Sequence, residues 1–142
     1  MHDACLLTDK FLKILSIVHR YYPAVGGAEY HMRAINRRLV ERGHDVTVLT
    51  TDAADFALFW DPTAERFDQL EDSADDVSIL RFPVKHLPLS KYAYPAVRLM
   101  TGQLARMLPN SPLIGRMTAF TPHVPAMRQW LQTTTESFDV VL

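Results

Sequence analysis

Residues 13–52 read KILSIVHRYYPAVGGAEYHMRAINRRLVERGHDVTVLTTD. Ile14, Leu15, Ile17 and Val18 form a run of apolar residues without strict alternation, which predicts a strand buried on both faces, as in a parallel sheet. A loop follows and closes on Pro23-x-x-Gly26-Gly27-x-Glu29. Ala28, Met32, Ile35 and Leu39 then recur at helical spacing and predict the core face of a helix over 27–42. Arg33, Arg37, Glu41 and Arg42 fall mainly on its solvent side. Gly43 suits the position just past a helix, and basic residues in the last turn suit the helix dipole. Val46, Val48 and Leu49 give a second strand. The order is strand, loop, helix, strand, with two adjacent glycines where the helix begins. A helix start with free backbone N–H groups attracts anions, and glycines let a bulky anion approach the main chain.

Downstream, residues 52–76 change character. Asp52, Asp55, Asp61, Glu65, Asp68, Glu71, Asp72, Asp75 and Asp76 stand against a single base, Arg66, with Phe56, Leu58, Phe59 and Trp60 among them. This composition predicts a surface excursion containing a short helical piece and no strand. A third strand is expected over 77–84, ended by Pro83 and Pro88, and a helix over 92–108 with Val97, Met100, Leu104 and Leu108 on one stripe. Pro109, Pro112, Gly115 and Pro122 make 109–124 mostly irregular. Pro125 suits the first turn of a helix through 134, and Phe138–Leu142 begins another buried strand. Alternating strands and helices define an α/β domain with a mostly parallel, Rossmann-like sheet. Right-handed crossovers give the order 3-2-1-4 for these four strands, with a crevice at the switch point beside Gly26 and Gly27.

The whole chain bounds the reading. A length of 142 residues allows one domain, and a hydrophobic fraction of 48% allows a real core. A net charge of −1 argues against nucleic acid as a partner. The lone cysteine, Cys5, excludes an intrachain disulfide framework and fits a reducing, cytoplasmic setting. Residues 1–12 read as an N-terminal extension without the pattern of a signal peptide, and no apolar run approaches the roughly 18 residues of a membrane span. His19, His31, His44, His86 and His123 show no metal-ligand spacing, and no catalytic residue is expected within the chain. Ser16 and Ser111 lack the setting of an activated nucleophile.

The glycine loop does not fit the commonest nucleotide fingerprints. A dinucleotide turn needs G-x-G-x-x-G straight after the strand, whereas here the glycines are adjacent and His19–Val25 intervene. No G-K-[ST] follows, which excludes a P-loop. Asp52 ends the second strand, where a ribose-binding acid would sit, but an aspartate ending a strand is common.

The segment resembles the amino-terminal domain of family-4 glycosyltransferases of the GT-B fold. The resemblance rests on the strand Lys13–Val18, on Tyr22-Pro23-x-x-Gly26-Gly27-x-Glu29, on Arg42-Gly43-His44 and on Val46–Thr51. It is looser over 77–84 and over Phe138–Leu142, which resembles the family's strand before its active-site histidine loop, and it is absent between them. It implies a retaining enzyme that moves a sugar from a nucleotide-diphosphate donor to a glycan, lipid-linked or small-molecule acceptor. It implies no cofactor, since the nucleotide sugar is a co-substrate. Residues 13–142 would be part of the acceptor-side domain, and a carboxy-terminal donor domain would carry most of the donor site. The glycine loop, with Gly26, Gly27, Arg20, Tyr22 and Glu29, would reach the donor diphosphate and the acceptor. For Glu29 the helix-dipole role is favoured over a direct ligand role, and Arg20, Tyr21 and Tyr22 either bind an acceptor or pack against neighbouring loops. The alternative is a stand-alone Rossmann-like module that binds a nucleotide or phosphate without catalysis.

One further feature is charge segregation. No Asp or Glu occurs between Lys85 and Thr135, a stretch that holds Lys85, Lys91, Arg98, Arg106, Arg116 and Arg128 with Tyr92, Tyr94, Phe120 and Trp130. Lys85, Lys91, Arg98 and Arg106 are candidates for a face toward an anionic membrane or a lipid-phosphate acceptor, which would place the protein peripherally at the inner membrane face. An ordinary solvated helical face is the alternative, since the same stripe also suits a core.

Overall fold

The computed structural model describes residues 11–86, 90–114 and 122–142, without the side chains of residues 90 and 91. Cys5, the extension over 1–12 except its last two residues, Pro88, Gly115, Arg116 and Phe120 lie outside the described residues, as does the side chain of Lys91.

The elements are β1 (Lys13–Ile17), α1 (Gly27–Glu41), β2 (Asp45–Thr51), a single 3-10 turn (Phe56–Phe59), β3 (Glu71–Ala74), β4 (Val77–Phe82), α2 (Ser90–Met107), α3 (Pro125–Thr133) and β5 (Val140–Val141). They form an α/β fold around one five-stranded sheet in the order β3-β4-β2-β1-β5. The three parallel pairings run as expected: β4, β2, β1 and β5 are neighbours in that order, with Ile14 opposite both Val46 and Val140 and Val48 opposite Ile79. The ladder of β5 extends past its two residues, because Asp139 N–H donates to the Lys13 carbonyl and Leu142 N–H to that of Leu15, both at 2.8 Å.

The acidic segment corrects one expectation. Residues 71–74 are a strand, β3, antiparallel to β4, with Ala74 opposite Val77. Asp75 and Asp76 make the connecting turn with φ of 55° and 59°. Both lie in the left-handed region that a two-residue hairpin of the primed type requires and that aspartate tolerates better than most residues. The strand is an edge, so its polar side chains can face water while its backbone pairs. The expected helical piece is the 3-10 turn, capped by Asp55, whose Oδ1 accepts from Ala57 N–H at 2.8 Å.

Ile14, Val46, Val48, Val77 and Ile79 form the main core with Tyr21, and Met32, Leu39 and Val40 of α1 pack against it. Each buried aliphatic side chain contributes about 1.5–3 kcal/mol of transfer free energy. The helix stops as its sequence indicates. Gly43 has φ of 86°, its N–H donates to the Val40 carbonyl, and His44 N–H donates to that of Leu39. This is a Schellman closure, which uses the left-handed residue that glycine supplies without strain. The one fully buried residue of α1 is polar: Asn36 donates through Nδ2 to Ser16 Oγ (3.4 Å) and Tyr21 Oη (3.3 Å).

A second cluster of Ala53, Leu58, Phe59 and Val84 sits under the 3-10 turn, with Trp60 and Val124 at its margin. Among the described residues of helix α2 none is fully buried, and the stripe expected to pack is divided: Val97 and Leu104 are half-buried, while Met100 is 63% exposed and Leu108, just past the helix, 57%.

Candidate functional site

The chain leaves β1 at its carboxyl end and returns to the same end to start α1. The loop between them is held from below by a buried guanidinium. Arg81 of β4, whose side chain is 1% exposed, donates to the Tyr22 carbonyl at 2.8 Å, to the Gln69 carbonyl at 3.3 Å and to Asp72 Oδ2 at 3.2 Å. One strand residue thus ties the loop to the edge hairpin. Arg33 of α1 places its guanidinium 3.8 Å from the centre of the Tyr22 ring and donates to Asp75 Oδ2 at 2.7 Å. That hydrogen bond holds the Asp75 carboxyl below its usual range and pushes the Arg33 guanidinium up.

Tyr21 turns inward and is a core residue, so of the three loop residues Arg20, Tyr21 and Tyr22 it is removed from any ligand role. Burial pushes its phenol up, partly offset by the hydrogen bond from Asn36.

Arg20 and Glu29 form a shielded ion pair. Arg20 Nε and Nη2 lie 2.8 and 2.6 Å from Glu29 Oε1, with side chains 14% and 10% exposed. Arg20 also lies over the Phe56 ring at 5.5 Å and donates from Nη1 to the Ala54 carbonyl at 3.4 Å. Glu29 is in the first turn, where a carboxylate suits the helix dipole. Its carboxylate folds back onto Gly26, and a Cβ at Gly26 would lie 2.1 Å from Oε2. The two glycines therefore differ. Gly26 makes room for Glu29, whereas a Cβ at Gly27 would meet nothing within 4 Å. Neither has the left-handed backbone that would demand glycine, so a side chain at residue 27 meets no backbone strain. No side chain caps the helix start at Gly26.

A cavity of about 430 Å³ opens beside this turn. Ile17, His19, Arg20, Glu29, Met32 and Tyr94 are among its walls. It lies outside the carboxyl end of β1, where the strand order reverses between β2 and β5, the position at which open α/β sheets take their ligands. Asp52 does not serve it. Its Oδ1 accepts from Val84 N–H at 2.9 Å and its Oδ2 from Arg66 at 3.1 Å, so this buried carboxylate is committed to the protein.

Of the bases singled out in the acid-free stretch, two line one cavity. Arg98 and Arg106 share a second cavity of about 530 Å³ along α2. Lys85 follows β4, with its N–H on the His123 carbonyl at 2.9 Å. Trp60 and Tyr94 also line that second cavity, with ring centroids 5.6 Å apart. The i, i+4, i+8 and i+12 spacing from Tyr94 through Arg98 and Gly102 to Arg106 is legible in the sequence, but the partnership with Trp60 is tertiary. Among the described residues no cluster of three His, Cys, Asp or Glu side chains converges as a metal site would require, and no helix is long and apolar enough to cross a membrane.

No family model, curated protein or solved structure matches the chain. The fold and the cavity together define an α/β domain with a ligand-type crevice at the switch point of a mostly parallel sheet.

Proposed function

We propose that this chain is the acceptor-side domain of a retaining, GT-B-type glycosyltransferase. The observation that supports the reading most is the placement of the Gly26–Gly27 helix start at the carboxyl end of β1, beside a cavity walled by its own first turn. In this reading the uncapped N–H groups of that turn meet the donor's diphosphate as the sugar leaves. Hydrogen-bond donors aimed at developing negative charge are among the strongest contributors to catalysis, at about 2.7–4 kcal/mol for one donor. The open side of Gly27 is where the anion approaches. Glu29 is turned to the Gly26 side and neutralised by Arg20, so it does not stand across that approach. The acceptor occupies the adjoining cavity, and a second α/β domain would supply the sugar and base subsites of the donor.

The test is calorimetric titration of the chain with pyrophosphate and with nucleoside diphosphates. Binding is expected, and Gly27→Val should weaken it by about tenfold or more, the equivalent of one hydrogen bond to a charged group. The melting temperature should move by only a few degrees, since residue 27 is exposed and unstrained. Unchanged pyrophosphate affinity in Gly27→Val removes the diphosphate role. A phosphate-binding module without catalysis shares this first step. The two part at the DNA following codon 142, where the glycosyltransferase reading expects a histidine-containing loop and a second α/β domain.

A further inference from the structure

Tyr94 lines both cavities. The crevice beside the glycine loop and the groove along α2 therefore meet at one ring, which Trp60 flanks at 5.6 Å. Past Tyr94 the groove is apolar along Trp60 and Leu99, and Leu99 is 66% exposed with nothing covering it. Arg98 stands one helical turn from Tyr94, and Arg106 two turns further, about 12 Å along the axis. Gly102, between the two arginines, leaves the floor of the groove without a side chain, and a Cβ there would meet nothing within 4 Å. No Asp or Glu is among the residues that line the groove, and none occurs in the sequence from Lys85 to Thr135.

We propose that this groove holds an alkyl phosphate, and that such an anionic, single-chain amphiphile is the acceptor class of the reaction proposed above. The inference rests on that reading for the word acceptor, but not for the binding site. The phosphate sits at Arg98, a guanidinium suited to a phosphate oxygen pair. The chain runs over Trp60 and Leu99 and across Gly102 toward Arg106. Arg98 holds two phosphate oxygens and the third faces past Tyr94 into the crevice; that oxygen bonds the sugar's anomeric carbon as the bond from this carbon to the donor's diphosphate oxygen breaks, and the nucleoside diphosphate leaves. The paired aromatic rings give a flat apolar wall, and the arginine stems extend it while their charged ends stay in water. Charge complementarity selects an anionic amphiphile over a neutral one.

The experiment uses the 142-residue chain carrying Trp130→Phe, which leaves Trp60 as the sole tryptophan reporter. Dodecyl phosphate is titrated below its critical micelle concentration and followed by Trp60 fluorescence, with dodecyl maltoside, inorganic phosphate and anionic phospholipid vesicles as separate arms. Saturable binding of dodecyl phosphate is expected, at least about tenfold tighter than that of the other two soluble ligands, since a charge-assisted contact and a buried chain each contribute about that factor. Arg98→Gln should lower the affinity by about tenfold. Gly102→Leu fills the floor and should abolish saturation, while its melting temperature holds or rises because leucine is the better helix former. That opposition separates a blocked groove from a damaged fold.

Affinity that ignores Gly102→Leu, equal binding of dodecyl maltoside, or inorganic phosphate binding as tightly as the alkyl phosphate overturns the inference. Binding confined to the vesicles overturns it too, and makes α2 a membrane-surface helix. Pyrophosphate titrated on the same samples keeps the two proposals apart. Amphiphile binding indifferent to residue 102, beside pyrophosphate binding lost in Gly27→Val, overturns the groove and leaves the reaction standing. Amphiphile binding blocked at 102 without any pyrophosphate binding does the reverse.

Discussion

Helices α1 and α2 carry similar amphipathic patterns and meet different fates. Met32, Leu39 and Val40 of α1 cover the sheet, while α2 presents Leu99, Met100 and Met107 to solvent and none of its described residues is fully buried. Periodicity states only that a helix has an apolar face. Whether the fold covers that face depends on where the connections place it. Residues 27–41 follow β1 and cross directly onto β2, so α1 must lie on the sheet. Residues 90–107 belong to a long excursion between β4 and β5 that is not forced onto it in the same way.

The contrast is broken most severely by cutting equal volumes from the two regions. Ile79→Ala, in the buried core, should cost about 3 kcal/mol by chemical denaturation. Leu99→Ala, on α2, should cost less than about 0.5 kcal/mol while weakening amphiphile binding. Equal losses would show that α2 is packed in solution and that the groove is closed.

Arg81→Met should cost about 2 kcal/mol, the range of hydrogen bonds to a charged group. It should also loosen the loop at Tyr22 and the edge strand together, read as faster amide exchange at 22–26 and 71–74. Protection lost in only one of the two would remove the tie between them.

Two glycines in the same two helical regions should respond with opposite sign. Gly43→Ala forces a side chain into a left-handed position and should destabilise by about 1 kcal/mol. Gly102→Ala, in an exposed helix interior, should stabilise by about 0.8 kcal/mol if α2 is helical in solution. Thermal melts of the pair decide it.

The smallest effect concerns Asp75. Its folded carboxyl is held below the usual value of 3.8, so the Arg33 pair contributes stability that is present above that value and is lost as the pH falls through the folded value. Because both partners are partly exposed, Asp75→Asn should cost only about 0.5 kcal/mol at pH 7 and nothing at pH 2. A cost that persists at pH 2 would assign the effect to the turn backbone instead.

Much of this was legible in the residues. The parallel order of four strands followed from the apolar runs and the crossover rule, because both are local or topological. Strand β3 was not, since EDSA has no apolar alternation and its side-chain tie to Arg81 of β4 is tertiary. The glycine loop was legible as an anion-type helix start. The division of labour within it was not, because Glu29 reaches back over Gly26 only when Arg20 stands opposite, and nothing in the spacing specifies that rotamer. The stripe on α2 was legible as a stripe, but its exposure depends on a connection whose path the sequence does not encode locally.

The edge hairpin has a mechanical consequence. Asp75 holds Arg33, Arg33 lies on the Tyr22 ring, the Tyr22 carbonyl takes Arg81, and Arg81 returns to Asp72 on the same hairpin. The contacts close a ring. Tension at any point in a closed ring is shared around it, so the acidic edge works as an outrigger that steadies the glycines from the far side of the sheet. A substitution at residue 72 or 75, remote in sequence from residues 26 and 27, would therefore be felt as a change in where the helix start points.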